Sequence, residues 1–196
     1  MDSKNSFDNA AQQSSEAPAY WNSVGIASVL FGIVAFVLSL VTVYVTINAE
    51  PTGSFFSPSQ LISLVGCLVG AFGGMVAVWH YTREHDIAVK LGKGALVGFL
   101  TGVGITLVSA VLNQLWLVVD PDMTQKMIES TVANFEAMDL PEEQKQQMID
   151  STVEAMRGQH NIGSQILWGI PMYGILNLIT GMIGAKAFGK EEDKLL

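Results

Sequence analysis

The chain has 196 residues, of which 49% are hydrophobic and only 14% charged, and its formal net charge is −8. That charged share lies well below the roughly 25% of soluble domains and excludes an ordinary globular protein. The acidic balance excludes nucleic acid as a partner, since phosphate binding needs a basic face. The single cysteine, Cys67, excludes a disulfide framework or a cysteine metal cluster.

Residues 1–20 form a polar tail that is expected to be disordered on the cytoplasmic side. Four long tracts then carry no Asp, Glu, Lys or Arg: between Glu16 and Glu50, Glu50 and Arg83, Lys93 and Asp120, and Arg157 and Lys186. A spanning helix needs about 20 mostly apolar residues, so each tract holds one. The predicted spans are residues 21–47, 60–81, 94–119 and 162–185. The chain therefore reads as an all-α polytopic membrane protein. Residues 21–119 carry three transmembrane spans and residues 162–188 the fourth, followed by a short cytoplasmic tail at 189–196. The first span is read as retained. No basic region precedes it, and its apolar run is longer than that of a signal peptide.

With four spans, both termini and the second loop share one side. That side holds Lys4, Arg83, Lys90, Lys93, Lys186, Lys190 and Lys194, whereas the other holds Lys126, Lys145 and Arg157. The positive-inside rule places the termini in the cytoplasm, N-in and C-in. Trp21, Trp79, Tyr81 and Trp116 sit where interfacial aromatics belong.

Residues 120–161 are the one sizeable soluble segment and read as an extracytoplasmic amphipathic helical hairpin between spans 3 and 4. Asp120-Pro121 reads as an N-cap with proline at the first helical position, and Pro141-Glu142-Glu143 opens a second helix in the same way. Met138-Asp139-Leu140 is the expected turn. Met127-Ile128-Glu129-Ser130-Thr131-Val132 recurs as Met148-Ile149-Asp150-Ser151-Thr152-Val153, one stripe on each helix. The two stripes either pack on each other or on the membrane surface as a cap, or receive a partner. Met127, Phe135, Met148 and Met156 are the partner-contact candidates, because methionine faces suit adaptable contacts. A copper site would need clustered Met or His, and His160 is the only histidine nearby.

Within the spans, Gly66, Gly70 and Gly74 recur at four-residue intervals, as do Gly94, Gly98 and Gly102. Such strips let helix backbones approach closely, within one bundle or between copies. Span 1 has a looser series in Ser28, Gly32, Ala35 and Ser39. Pro171 should kink span 4, and Asn177 should hydrogen-bond across to another helix or contact a substrate beside that kink. No charged residue is predicted within the hydrocarbon, so a proton- or sodium-driven carrier has no visible engine. His80 has no second in-span histidine for haem, and no nucleophile, phosphate loop or metal motif appears. No catalytic residue, cofactor or metal is expected, and the chain is read as not an enzyme.

The glycine-rich second span ending in Tyr81-Thr82-Arg83-Glu84 leads through a basic loop into Gly94-Ala95-Leu96-Val97-Gly98-Phe99. Val119-Asp120-Pro121-Asp122, the acidic segment with Leu140-Pro141-Glu142-Glu143-Gln144, and a glycine-rich last span follow. In order and spacing this resembles a four-span bacterial membrane family known as domain of unknown function 4199, from about Leu61 to the C-terminus. The resemblance implies a bacterial inner-membrane location and brings no functional residues with it. The expected role is a non-catalytic accessory or scaffolding subunit, in contact with membrane lipid and either a homo-oligomer or a membrane-protein partner. The alternative is a passive transporter or channel for a small neutral solute, which needs an oligomer and a path lined by Thr106, Ser109, Asn113, Gln114 and Asn177.

Overall fold

A computed structural model describes residues 19–54, 58–159 and 161–189. The expectations for the two tails, including Lys4, Lys190 and Lys194, and for His160 lie outside the described residues. Seven helices are described: α1 Trp21–Asn48, α2 Pro58–Ala71, α3 Gly73–His85, α4 Leu91–Val119, α5 Met123–Glu136, α6 Glu142–Gln159 and α7 Ile162–Phe188. No strand occurs among the described residues. In a bilayer each span must satisfy its own backbone, and these apolar tracts do so as helices.

Four helical stretches are long and apolar enough to cross a membrane: Trp21–Asn48, Ser59–His85, Leu91–Val119 and Ile162–Phe188. At 1.5 Å per residue, each reaches about 40 Å, enough for a hydrocarbon core of about 30 Å with tilt. Each also turns large apolar side chains outward. Leu30, Leu64, Val111 and Ile175 are all more than half exposed. A ring of exposed aliphatic side chains on every span has no reason to exist in water and is what lipid requires. The chain is a multi-pass, all-helical membrane protein.

The spans form a four-helix bundle in which α4 packs along α7 on one side and α1 on the other. One end, the loop end, carries the α1–α2 connection together with α5 and α6. The other, the tail end, carries the α3–α4 loop, the start of α1 and the finish of α7. The core is concentrated toward the tail end, in Val24, Ala27, Ala77, Val78, Tyr81, Val89, Val97 and Ala185. At the loop end α2 leans on α1 and touches α7 only sparsely, so the bundle widens there.

The second span is interrupted at Phe72, between α2 and α3. Its α3 half stops at Asp86, whose left-handed φ of 52° ends the helix. Pro171 lies inside α7, which runs on through it as a helix. The loop between α1 and α2 is tied to α5. Asn134 Oδ1 accepts the backbone N–H groups of Thr52 and Gly53 at 3.0 and 3.1 Å, and its Nδ2 donates to the Ser54 carbonyl at 3.1 Å. Gly53 has φ +63°, and a Cβ there would fall on the Ala137 carbonyl, so only glycine fits.

Helices α5 and α6 occupy the segment expected to be helical. Asp120 does not cap α5, as local sequence rules suggested. The helix begins at Met123, and the Asp120 carboxylate instead accepts from Tyr44 Oη at 2.8 Å and Lys126 Nζ at 2.9 Å. A charged partner and a phenol are its main partners, and the Asp122 backbone N–H contributes least.

Candidate functional site

The polar chemistry inside the bundle divides into a sealed half and an open half. The division falls at Asn177, which is fully buried. Its Oδ1 accepts from the backbone N–H of Gly74 at 2.6 Å, while its Nδ2 donates to the carbonyls of Gly70 at 3.2 Å and Tyr173 at 2.8 Å. Gly70 and Gly74 are the two ends of one helical i→i−4 pair. The Asn177 amide is therefore inserted into the hydrogen-bond ladder of the second span, beside the break at Phe72. A side chain inserted into the ladder is a recognised cause of helix breaks. Thr180 Oγ1 donates to the next carbonyl, Ala71.

Glycines make this approach possible. A Cβ at Gly74 would land on the Asn177 carbonyl, and one at Gly70 would stand 2.6 Å from the Tyr173 ring. Gly66 is different, because a Cβ there would lie 3.5 Å from the Leu38 side chain, in ordinary contact. On α4, Gly94 faces Gly181 and Ala185, Gly98 faces Asn177 and Gly181, and Gly102 faces Tyr173 and Gly174. Both glycine series thus face neighbouring helices of the same chain, with Gly66 the loosest member. On the other flank of α4, Ser28 Oγ donates to the Thr101 carbonyl at 3.3 Å, and Gly104 accommodates the Ser28 side chain.

Toward the loop end the bundle holds a cavity of about 420 Å³ between α1, α4 and α7, roofed by Met123 and Met127 of α5. Ser39, Thr106, Ser109, Asn113, Ser164 and Gln165 supply its polar lining, and no charged side chain takes part among the described residues. A smaller cavity of about 240 Å³ lies between α1 and α2 beside Cys67, and the two share Ala35, Ser39, Val43 and Tyr173. Of the residues expected to line a solute path, Thr106, Ser109 and Asn113 meet here. Gln114 is not in the lining, and Asn177 is committed to the second span below it. Ser164 and Gln165 were missed in the sequence; two polar residues within the first turn of a span were the available signal.

Of the partner-contact candidates, Met127 faces inward as part of the cavity roof. Phe135 and Met148 line a separate cleft of about 720 Å³ against the α1–α2 loop, and Met156 is half-buried on α6. In the internal repeat, the first copy docks on α1 through Ser130 Oγ, which donates to the Thr46 carbonyl at 2.6 Å. The Ser151 hydroxyl of the second copy turns back to its own helix at Met148.

At the loop end, Trp116 Nε1 donates to Tyr44 Oη at 3.3 Å, extending the Tyr44–Asp120–Lys126 network. The Lys126 ammonium first, and the Tyr44 hydroxyl second, hold the Asp120 carboxyl below the ordinary aspartate range; Asp120 in turn raises Lys126. A depressed carboxyl contributes stability above its unfolded pKa and loses it as pH falls through the folded one. The expected result is a wild-type melting temperature that drops between about pH 5 and pH 3, with a smaller drop in Asp120→Asn. Thermal melts of the two detergent-solubilised proteins at those two pH values check this.

At the tail end, Ser23 Oγ and His80 Nδ1 lie 2.9 Å apart, Asn22 Nδ2 donates to Glu84 at 3.2 Å, and His80 lies 3.5 Å from the same carboxylate. Lys93 Nζ donates to Tyr81 Oη. These contacts join α1, α3 and α4 into one polar rim. Among the described residues, no group of three or more His, Cys, Asp or Glu is placed to hold a metal ion.

No curated protein and no solved structure matches the chain. One family model does, across residues 25–186, which takes in most of the first span and parts of all seven helices. The chain belongs to the family described as Protein of unknown function (DUF4199).

Proposed function

We propose that the chain is a non-catalytic accessory or scaffolding subunit of a bacterial inner membrane, with both termini in the cytoplasm. The observation that supports it is the sealed tail-end half of the bundle. There, Asn177, Thr101, Val97, Val78 and Tyr81 are fully buried, and glycines bring backbones into direct contact. Among the described residues this packing closes the tail-end half, which leaves the outer faces and the loop-end helices as working surfaces. The orientation rests on the basic residues. Arg83, Lys90, Lys93 and Lys186 cluster at the tail end, against Lys126, Lys145 and Arg157 at the loop end.

The test is mild-detergent purification from native membranes through a C-terminal tag, with mass determination of the intact assembly. A stoichiometric partner is expected. It should be lost on changing the loop-end cleft, by Phe135→Glu or Met148→Glu, while the melting temperature of the isolated chain holds. The second reading, passive passage of a neutral solute through an oligomer, is favoured by one observation, the uncharged polar lining of the 420 Å³ cavity. A homo-oligomer without a partner, which conducts a neutral solute into liposomes, would replace the first reading with the second.

A further inference from the structure

The loop-end cavity is lined by polar groups that no other described residue satisfies. Ser39, Asn113, Ser164 and Gln165 face it, and none has a side-chain hydrogen bond among the described residues. Thr106 and Ser109 donate to backbone carbonyls of their own helix, which leaves their oxygens able to accept. At membrane depth, hydroxyl and amide groups without partners are costly, so something must meet them. The volume is within the range of small-molecule sites. Among the described residues no charge faces the cavity, so a phosphate or ammonium head would meet no counter-charge from them.

The walls indicate the route of entry. Helix α2 packs on α1 but only sparsely on α7, and the smaller cavity, lined by Ile62, Ser63, Gly66 and Cys67 of α2 with Tyr173 of α7, adjoins the larger one beside that loose seam. Trp168 of α7 lines the cavity and is nonetheless 74% exposed, so the lining reaches the outer surface there. The opposite exit is shut by the Asn177 insertion and by the glycine contacts beneath it.

We propose that this cavity is a binding site for an uncharged membrane amphiphile that enters laterally between α2 and α7. Its hydroxyl or carbonyl head is held by Ser39, Asn113, Ser164 and Gln165, and its apolar chain leaves toward lipid. The proposal is independent of the subunit reading, since such a site serves either a scaffold or an oligomeric transporter.

The experiment uses the full chain in nanodiscs containing equal mole fractions of dioleoylglycerol and dioleoylphosphatidylglycerol, followed by native mass spectrometry of the released protein. Retention of dioleoylglycerol should exceed that of the charged lipid by about tenfold, and Ser39→Leu with Asn113→Leu should abolish the difference. Equal retention of both lipids, or preference unchanged by the double substitution, overturns the proposal. A second measurement needs no cavity-filling variant. Brominated dioleoylglycerol should quench the part of the tryptophan emission that disappears in Trp168→Phe, and brominated dioleoylphosphatidylglycerol should quench it less. Equal quenching by the two overturns the proposal. So does rapid reaction of Ser39→Cys, in a Cys67→Ala background, with a water-borne impermeant thiol reagent that dioleoylglycerol does not slow. That result would make the cavity an aqueous vestibule.

Discussion

Asn177→Leu should lower the stability of the folded bundle by about 2–4 kcal/mol, one of the two largest effects expected from a single substitution. Leucine nearly matches asparagine in shape, so the change removes hydrogen bonds rather than volume. It strips the Gly74 N–H and the Gly70 carbonyl of the partners they have at 2.6 and 3.2 Å. Both groups lie where neither water nor lipid can replace those partners readily. The second span has one escape, which is to close its own Gly74-to-Gly70 bond. That requires α2 and α3 to straighten at Phe72 and to move against Asn177's neighbours, whose backbones already touch. The check is reversible unfolding in mixed detergent micelles, wild type against Asn177→Leu, with Asn113→Leu as a cavity-facing control. Asn113 makes no side-chain bond among the described residues and should change stability by less than about 1 kcal/mol. Equal effects at the two positions would mean that the ladder closes without strain.

What made the four spans legible is that charge is excluded from hydrocarbon, a constraint that acts on each residue separately. The helices extend slightly beyond the predicted spans, to Asn48, His85 and Phe188, because helical geometry continues through the interface where polar residues are already allowed. The break at Phe72 was not legible. Its cause is a side chain 103 positions away from Gly74, and no local pattern encodes that pairing. The wider role of Asp120 was hidden for the same reason, since Tyr44, its partner at 2.8 Å, lies 76 positions away. The cavity was half legible. Thr106, Ser109 and Asn113 follow one another along a single face of α4, whereas Ser39, Ser164 and Gln165 join them only through the packing of α1 and α7. Spacing marked the six glycines of the two series alike, but the distances separate Gly66 from the rest.

Gly98→Ala should destabilise the bundle by about 1–3 kcal/mol, whereas Gly66→Ala should be neutral within about 0.5 kcal/mol. The added methyl is the same, and in both cases alanine is the better intrinsic helix former. The difference lies in what the methyl meets. At Gly98 it falls on the Asn177 carbonyl and within 3.0 Å of the Gly181 Cα, both backbone atoms that no rotamer change can clear. The helices must separate, and in separating they loosen the Gly94 and Gly102 contacts along the same face and strain the Asn177 insertion. At Gly66 the methyl meets Leu38 at 3.5 Å, an ordinary van der Waals distance. The same unfolding assay checks the pair, and cross-linking of the folded proteins adds a second readout. If the strip works inside one chain, Gly98→Ala shifts unfolding at every protein concentration and leaves the oligomeric state unchanged. A variant that instead dissociates copies while each chain keeps its melting temperature would move the glycine contacts from within the bundle to between bundles.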